Sequence, residues 1–280
     1  MFLKSTYNEI LKIASKPRSY IGIAAITLII SVILLAMWLD GITYISFITA
    51  PFEQSLSFTG NILNGNLMAF IILNMLIIHV PLLIAFVTGD LISGEGAMGT
   101  IRLLLTKPIS RTGILLSKYL AGCFYTLVVL LWMAILSIFV SKFLFGPGDL
   151  MVLKSDGLNI IQAQDVGIRF FYGFIVAYLA LIMIATLSLA FSCFSDNSIG
   201  PIISTMGMII LFTIIGTLDV PVFAKIQPLL FTTHMAAWRS FFEDPIPVEQ
   251  IRTSIIVLFV HIIGLLGIAI YKFNKKDILS

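Results

Sequence analysis

The sequence predicts an all-α polytopic membrane protein that crosses the bilayer six times, and three observations predict it. Hydrophobic residues fill 59% of the 280 positions and charged residues only 11%, against about 45–50% and about 25% in soluble domains. The apolar residues gather in runs long enough for a hydrocarbon core of about 30 Å. The Lys and Arg residues concentrate in particular loops between those runs, where they set orientation.

Residues 1–18 place Phe2, Leu3, Tyr7, Ile10, Leu11 and Ala14 at helical spacing, with Lys4, Asn8, Lys12 and Ser15 elsewhere on the wheel. That pattern predicts an amphipathic helix in the headgroup plane, followed by the basic pair Lys16 and Arg18. The next run, Tyr20 to Leu39, is longer than a signal-peptide core and lies too far from the start, so it reads as a retained first span. Five further runs follow: Leu67 to Gly89, Tyr119 to Val140, Phe170 to Phe191, Ile199 to Leu218 and Ser254 to Tyr271, the last being the shortest. They must be helices, because unpaired backbone groups are too costly in hydrocarbon and the runs lack the alternation of barrel strands.

Two of the outer connections carry structure of their own. Residues 222–245 hold Phe223, Ile226, Leu230, Met235, Trp238, Phe241 and Phe242, too apolar for a free loop. A re-entrant or interfacial hairpin of short helices, broken near Pro228, is expected there. The stretch from Phe145 to Arg169 reads as a compact loop with a weak amphipathic segment. No internal repeat or low-complexity tract occurs.

The net charge of +3 does not indicate nucleic-acid binding, which would need basic residues gathered on one face. With the N-terminus inside, the cytoplasmic segments hold Lys4, Lys12, Lys16, Arg18, Arg102, Lys107, Arg111, Lys118, Lys272, Lys275 and Lys276. The outer segments hold Lys142, Lys154, Arg169, Lys225, Arg239 and Arg252, and the first outer loop, Asp40 to Asn66, holds none. Both termini are therefore expected on the cytoplasmic side.

Cys123 and Cys193 sit inside apolar runs without Cys-x-x-Cys spacing and read as small hydrophobes. His79, His234 and His261 lie on three different segments, so no metal site is expected. No His-Glu-x-x-His helix or serine elbow occurs, and no catalytic residue is assigned. Nor is there a phosphate-binding Gly-x-x-x-x-Gly-Lys-Ser/Thr motif, so the chain is not expected to hydrolyse ATP itself or to bind a cofactor.

The most informative stretch is the loop between spans two and three, residues 90–112. It opens with Asp90 and Glu95, passes through Gly94, Gly96 and Gly99, and continues as a short amphipathic helix from Thr100 to Leu105 that stops at Pro108. Arg111 and Lys118 follow at the membrane boundary. The ordered string Gly99-Thr100, Leu104-Leu105, Thr106-Lys107-Pro108, Ser110-Arg111 and Lys118, after an acidic pair, resembles the loop after the second span of ABC-2 type transporter permeases. The six spans, the N-terminal interfacial helix, the outer hairpin and the basic tail Lys272 to Asp277 extend the resemblance over residues 1–280.

The resemblance implies a single permease domain in the bacterial cytoplasmic membrane, acting in export and paired with a second permease subunit, identical or not. A separate cytoplasmic ATPase, holding ATP and Mg, would dock on the loop and the N-terminal helix. The docking residues would be Asp90, Glu95, Gly99, Thr100, Arg102, Leu104, Leu105, Lys107, Pro108 and Arg111. Asp90 and Glu95 would pair with basic residues of the ATPase or cap the helix, and Arg102 and Arg111 would meet its acidic side or anionic lipid.

Within the spans, Asn74 and His79, near the kink-forming Pro81, are candidates to line a path. The resemblance adds Ser204, Thr205 and Thr213 from span five, which it places at a central cleft. The competing reading for each is ordinary hydrogen bonding within or between helices. Asp219, Glu243 and Asp244 flank the outer face as gate or interface charge. Two other functions are weighed: a membrane enzyme acting on lipid or quinone, which would cluster acids and histidines at the boundary, and an ion-driven transporter, which would carry repeats and mid-membrane charge.

Overall fold

The computed structural model describes residues 2–49, 62–76, 79–105, 108–154 and 157–276. The protein is an all-α polytopic membrane protein with six helices long and apolar enough to span a bilayer. An N-terminal helix α1 (Phe2–Ser15) leads into α2 (Pro17–Thr49), the first span. Pro17 suits the first turn of α2, where its missing N–H is not needed. The helix bends at Asp40, whose backbone is non-helical (φ −128°, ψ 15°).

Of span two, expected as Leu67 to Gly89, residues 77–78 lie outside the described residues. The described parts form α3 (Gly65–Leu76) and α4 (His79–Thr88), and after Gly89 the chain continues in α5 (Asp90–Ala97). Among the described residues, the stretch His79–Ala97 is long and apolar enough to span. The acidic residues expected in a loop lie on its last two turns.

A short α6 (Ile101–Leu105) precedes span three, which runs as α7 (Arg111–Ala134), a π-helical turn over Ile135–Val140, and α8 (Ser141–Phe145). The connection that follows, expected as a compact loop, holds a hairpin, β1 (Leu150–Lys154) paired antiparallel with β2 (Gly157–Ile161). Gly146, at φ 74°, ends α8 in a conformation glycine tolerates best. The Asp149 carboxylate then accepts from Ala163 N at 2.8 Å, so α9 (Ala163–Phe194) starts well ahead of Phe170.

Span five, α10 (Ile199–Thr217), fits its expected limits closely. Span six, expected to be the shortest, is α12 (Val248–Lys275) with 28 residues, longer than the 19 of span five. Its polar first and last turns project beyond the apolar run that marked it.

The core is organised around α9, which packs against α4, α5, α7, α10 and α12. Small residues on α9 permit close approach. Ser192 Oγ accepts from Ser93 N at 2.9 Å, and Ser188 Oγ donates to Ala85 O at 3.0 Å. The outer hairpin is built of short helices as expected: a 3₁₀ turn at Gln227–Leu229, α11 (Phe231–Met235) and a 3₁₀ turn at Ala237–Phe242. Its aromatic residues enter the bundle, with Phe242 4.8 Å from Phe170 and 5.1 Å from Phe70 between ring centres.

Candidate functional site

At one end of the bundle, α1, the start of α2, α5 and α7 converge on a network of seven charged side chains. Burying charge in a helix bundle requires pairing, and each member has a partner. Lys118 on α7, with 1% of its side chain exposed, lies 2.8 Å from Glu9 Oε2 and 2.9 Å from Glu95 Oε1. Lys12 bridges the same two acids at 2.7 Å and 2.9 Å. Asp90 meets Lys16 at 3.0 Å and Arg18 at 2.6 Å. The guanidinium of Arg18 also lies 5.9 Å from the centre of the Phe86 ring.

The local sequence explains how these groups reach one another. Glu9 and Lys12 lie three residues apart on α1 and therefore share a face, and that face packs on α7. Leu3, Tyr7 and Leu11, on the outward face, are exposed, as an interfacial helix would present them. Ser19 Oγ donates to Ile13 O at 2.6 Å and Tyr125 OH to Ser19 O at 3.2 Å, fixing the corner between α1 and α2. On α5, Gly94 stands one turn after Asp90. A Cβ at Gly94 would overlap the Asp90 carboxylate.

Burial alone would raise the pKa of Glu9, but its pairs with Lys118 and Lys12 outweigh that and hold it below the ordinary carboxylate value. Burial likewise lowers Lys12, and its hydrogen bonds to Glu9 and Glu95 outweigh that and raise it above the ordinary lysine value. Both shifts favour the ionised forms of Glu9 and Lys12.

Asp90 and Glu95, expected to pair with a partner's basic residues or to cap the helix, take their partners from this chain. Both are buried and paired within the chain. Arg111 is also engaged, donating to the carbonyls of Asn274 and Lys276 at 3.1 and 2.8 Å. Lys276 in turn lies 2.7 Å from Asp196, so the described part of the basic tail is clasped to the bundle.

Of the other residues expected to meet a partner, Gly99, Thr100, Leu104 and Pro108 lie within the described residues. Gly99 turns the chain at φ 69°, with its N–H bonded to Gly96 O at 3.0 Å. Thr100 Oγ1 donates to Glu95 O at 3.3 Å. Leu104 and Pro108 line a groove of about 390 Å³ facing Lys4 and Asn8 of α1. Lys107 lies outside the described residues, as do the side chains of Arg102 and Leu105. Beyond the end of span two, Met98 is 61% exposed and Leu103 69% exposed.

The five path residues are not brought together. Asn74 Nδ2 donates to Phe70 O at 2.8 Å and Thr205 Oγ1 to Pro201 O at 2.7 Å, each within its own helix. The Nδ1 of His79 lies 3.0 Å from Met75 O, and Ser204 and Thr213 are exposed on α10. These contacts fit the ordinary hydrogen-bonding reading. Among the described residues, no group of three or more His, Cys, Asp or Glu could hold a metal ion.

Sequence reasoning missed Glu9 altogether and treated Lys12, Lys16, Arg18 and Lys118 as boundary charge. A lone acid in an otherwise basic N-terminal segment, three residues before Lys12, was the available signal.

Among known proteins, the chain is similar to the uncharacterized protein YhcI of Bacillus subtilis (strain 168), at 25% identity over 201 residues, which is 69% of this chain. The match spans 62% of YhcI, less than two thirds of that curated relative. Residues 28–279, from the middle of span one through span six, match the family described as "Protein of unknown function (DUF2705)", and the chain belongs to that family.

Proposed function

We propose that this protein is the membrane-spanning permease subunit of an ABC-type exporter in the bacterial cytoplasmic membrane, with both termini in the cytoplasm. A separate ATPase, binding ATP and Mg, docks on the segment from Met98 to Pro108 and on α1. A second permease subunit completes the translocation path. The observation that carries the reading is the exposure of Met98 and Leu103 beyond the end of span two, 61% and 69%. Large apolar side chains held out past the membrane on a short helix suit a groove in a partner protein.

The ion network supplies the mechanical half of the argument. α5 is continuous with α4 through Gly89, whose N–H bonds to Ala85 O at 2.9 Å, and its acids are paired to α1 and α7. A force applied to α6 passes through α5 to spans two and three rather than dissipating in a loose loop. Buried, networked pairing resists such a force better than solvated charge does.

Affinity purification of the full chain in mild detergent from a bacterium that carries it should recover an ATP-binding subunit. The double substitution Met98→Asp, Leu103→Asp should abolish that recovery while leaving the chain in the membrane. Absence of any ATPase in the wild-type preparation, with function intact after the double substitution, sinks the reading. Turnover of a lipid by the purified chain without nucleotide would favour the enzyme alternative, and gradient-driven uptake without nucleotide the secondary-transporter one.

A further inference from the structure

We infer that the protein binds one anionic phospholipid in an intramembrane groove between spans three and four, with Lys142 holding its phosphate. This site lies apart from the coupling segment and does not depend on the permease reading. The groove has a volume of about 480 Å³ and is walled on one side by α7 and its π-helical turn and on the other by α9. Leu131 and Phe139 face it from the first wall, Phe171 and Ile175 from the second, and Lys142 is the only charged residue lining it.

The gap has a structural cause. α7 and α9 pack closely along much of their length, with Tyr178 OH donating to Cys123 O at 3.0 Å. Past Ala134 the π-helical turn widens the helix, and the chain then contacts α3 instead of α9. Gly65 at the start of α3 presses against the Lys142 backbone so closely that a Cβ there would collide with it. Gly65 N also donates to Gly146 O at 2.8 Å. The end of span three is thereby tied to α3, while α9 begins at Ala163, whose N–H donates to the Asp149 carboxylate. The two helices diverge and leave the groove between them.

Dimensions and chemistry select the occupant. From Leu127 to Lys142 the helix rises about 22 Å at about 1.5 Å per residue. One leaflet of hydrocarbon, half of a core of about 30 Å, fits within that length. An apolar trough inside the bilayer is filled by acyl chain, which alone would give no headgroup preference. Lys142 adds one. It is half-buried at the end of the groove where span three leaves the membrane, and among the described residues its ammonium pairs with no carboxylate. A phosphate there gains a charge-assisted contact in a site shielded from water. A phosphatidylglycerol-type lipid meets both requirements.

Gly167 allows a test that leaves the fold alone, because a Cβ built there has no atom within 4 Å and points into open space beside the groove. The full chain would be reconstituted in nanodiscs of equal phosphatidylglycerol and phosphatidylcholine, extracted gently, and its retained lipids measured by native mass spectrometry. Wild type should keep one lipid, with about a fivefold preference for phosphatidylglycerol, the factor one lysine near an anionic headgroup provides. Lys142→Gln should bring the ratio to about one, Lys142→Arg should keep the preference, and Gly167→Phe should lose both lipids. Equal retention of the two lipids by wild type, or undiminished retention by Gly167→Phe, would overturn the assignment.

Discussion

Three glycines within six residues of α5 and its exit do three different things, and alanine substitution should separate them. At Gly94 a Cβ would overlap the Asp90 carboxylate, so Gly94→Ala should displace Asp90 from Lys16 and Arg18 and destabilise the end of span two. At Gly99 the backbone is left-handed, and Gly99→Ala should cost about 1–2 kcal/mol from that strain. At Gly96 nothing lies within 4 Å, and Gly96→Ala should stabilise by about 0.5–1 kcal/mol. Thermal unfolding in detergent would order the three. A larger loss at Gly96 than at Gly94 would refute the account. From sequence the three looked alike, as a loose segment. Only the position of the Asp90 side chain distinguishes the first from the others.

The pairing of Glu9 with Lys12 makes the α1 contact depend on pH. Glu9 is held below its ordinary value of 4.5, so its contribution is present above that value and is lost as pH falls through the lower folded one. Lys12 is held above its ordinary value of 10.5, so its contribution is present below that value and is lost as pH rises through the higher folded one. The contact of α1 with α7 should therefore persist across neutral pH and open only in acid below the ordinary carboxylate range or in strong alkali. Hydrogen exchange of α1 amides would follow it. Lys118→Met should expose α1 at neutral pH, because removing the central cation leaves Glu9 and Glu95 buried without it, a loss of about 3–5 kcal/mol. Protection of α1 unchanged in Lys118→Met would show that apolar packing alone holds the helix.

At the level of elements, apolar length located the six spans, because a helix surrounded by lipid is recognised by composition alone. α10, mostly exposed, kept its expected limits. The failures share a cause. The end of span two ran on through Asp90 and Glu95, since acids neutralised by basic residues distant in sequence no longer terminate a span. Span six gained polar turns that no hydropathy window includes. The β1–β2 hairpin was missed because its strands are five residues each and depend on each other's hydrogen bonds rather than on any local pattern.

For the molecule as a whole, the positive-inside count predicts that the ion network faces the cytoplasm. Lys276 and Arg111 meet at that end of the bundle, and Glu249, in the first turn of α12, lies at the other. With Cys123 and Cys193 replaced by alanine, a cysteine at Glu249 should react with an impermeant maleimide in intact cells. One at Thr100 should react only after lysis. The reverse pattern would invert the topology and remove the basis for a cytoplasmic ATPase partner.

Composition and run length by themselves determined that this is a six-span helical membrane protein, because the solvent acts on each segment independently. Loop order is the ground on which the permease function is proposed. Tertiary structure alone decided that Asp90, Glu95 and Arg111 are spoken for within the chain, and that span three parts from span four to leave a groove beside Lys142. Both outcomes depend on which distant residues meet, and a buried charge or a gap between helices acquires its meaning only from the group across from it.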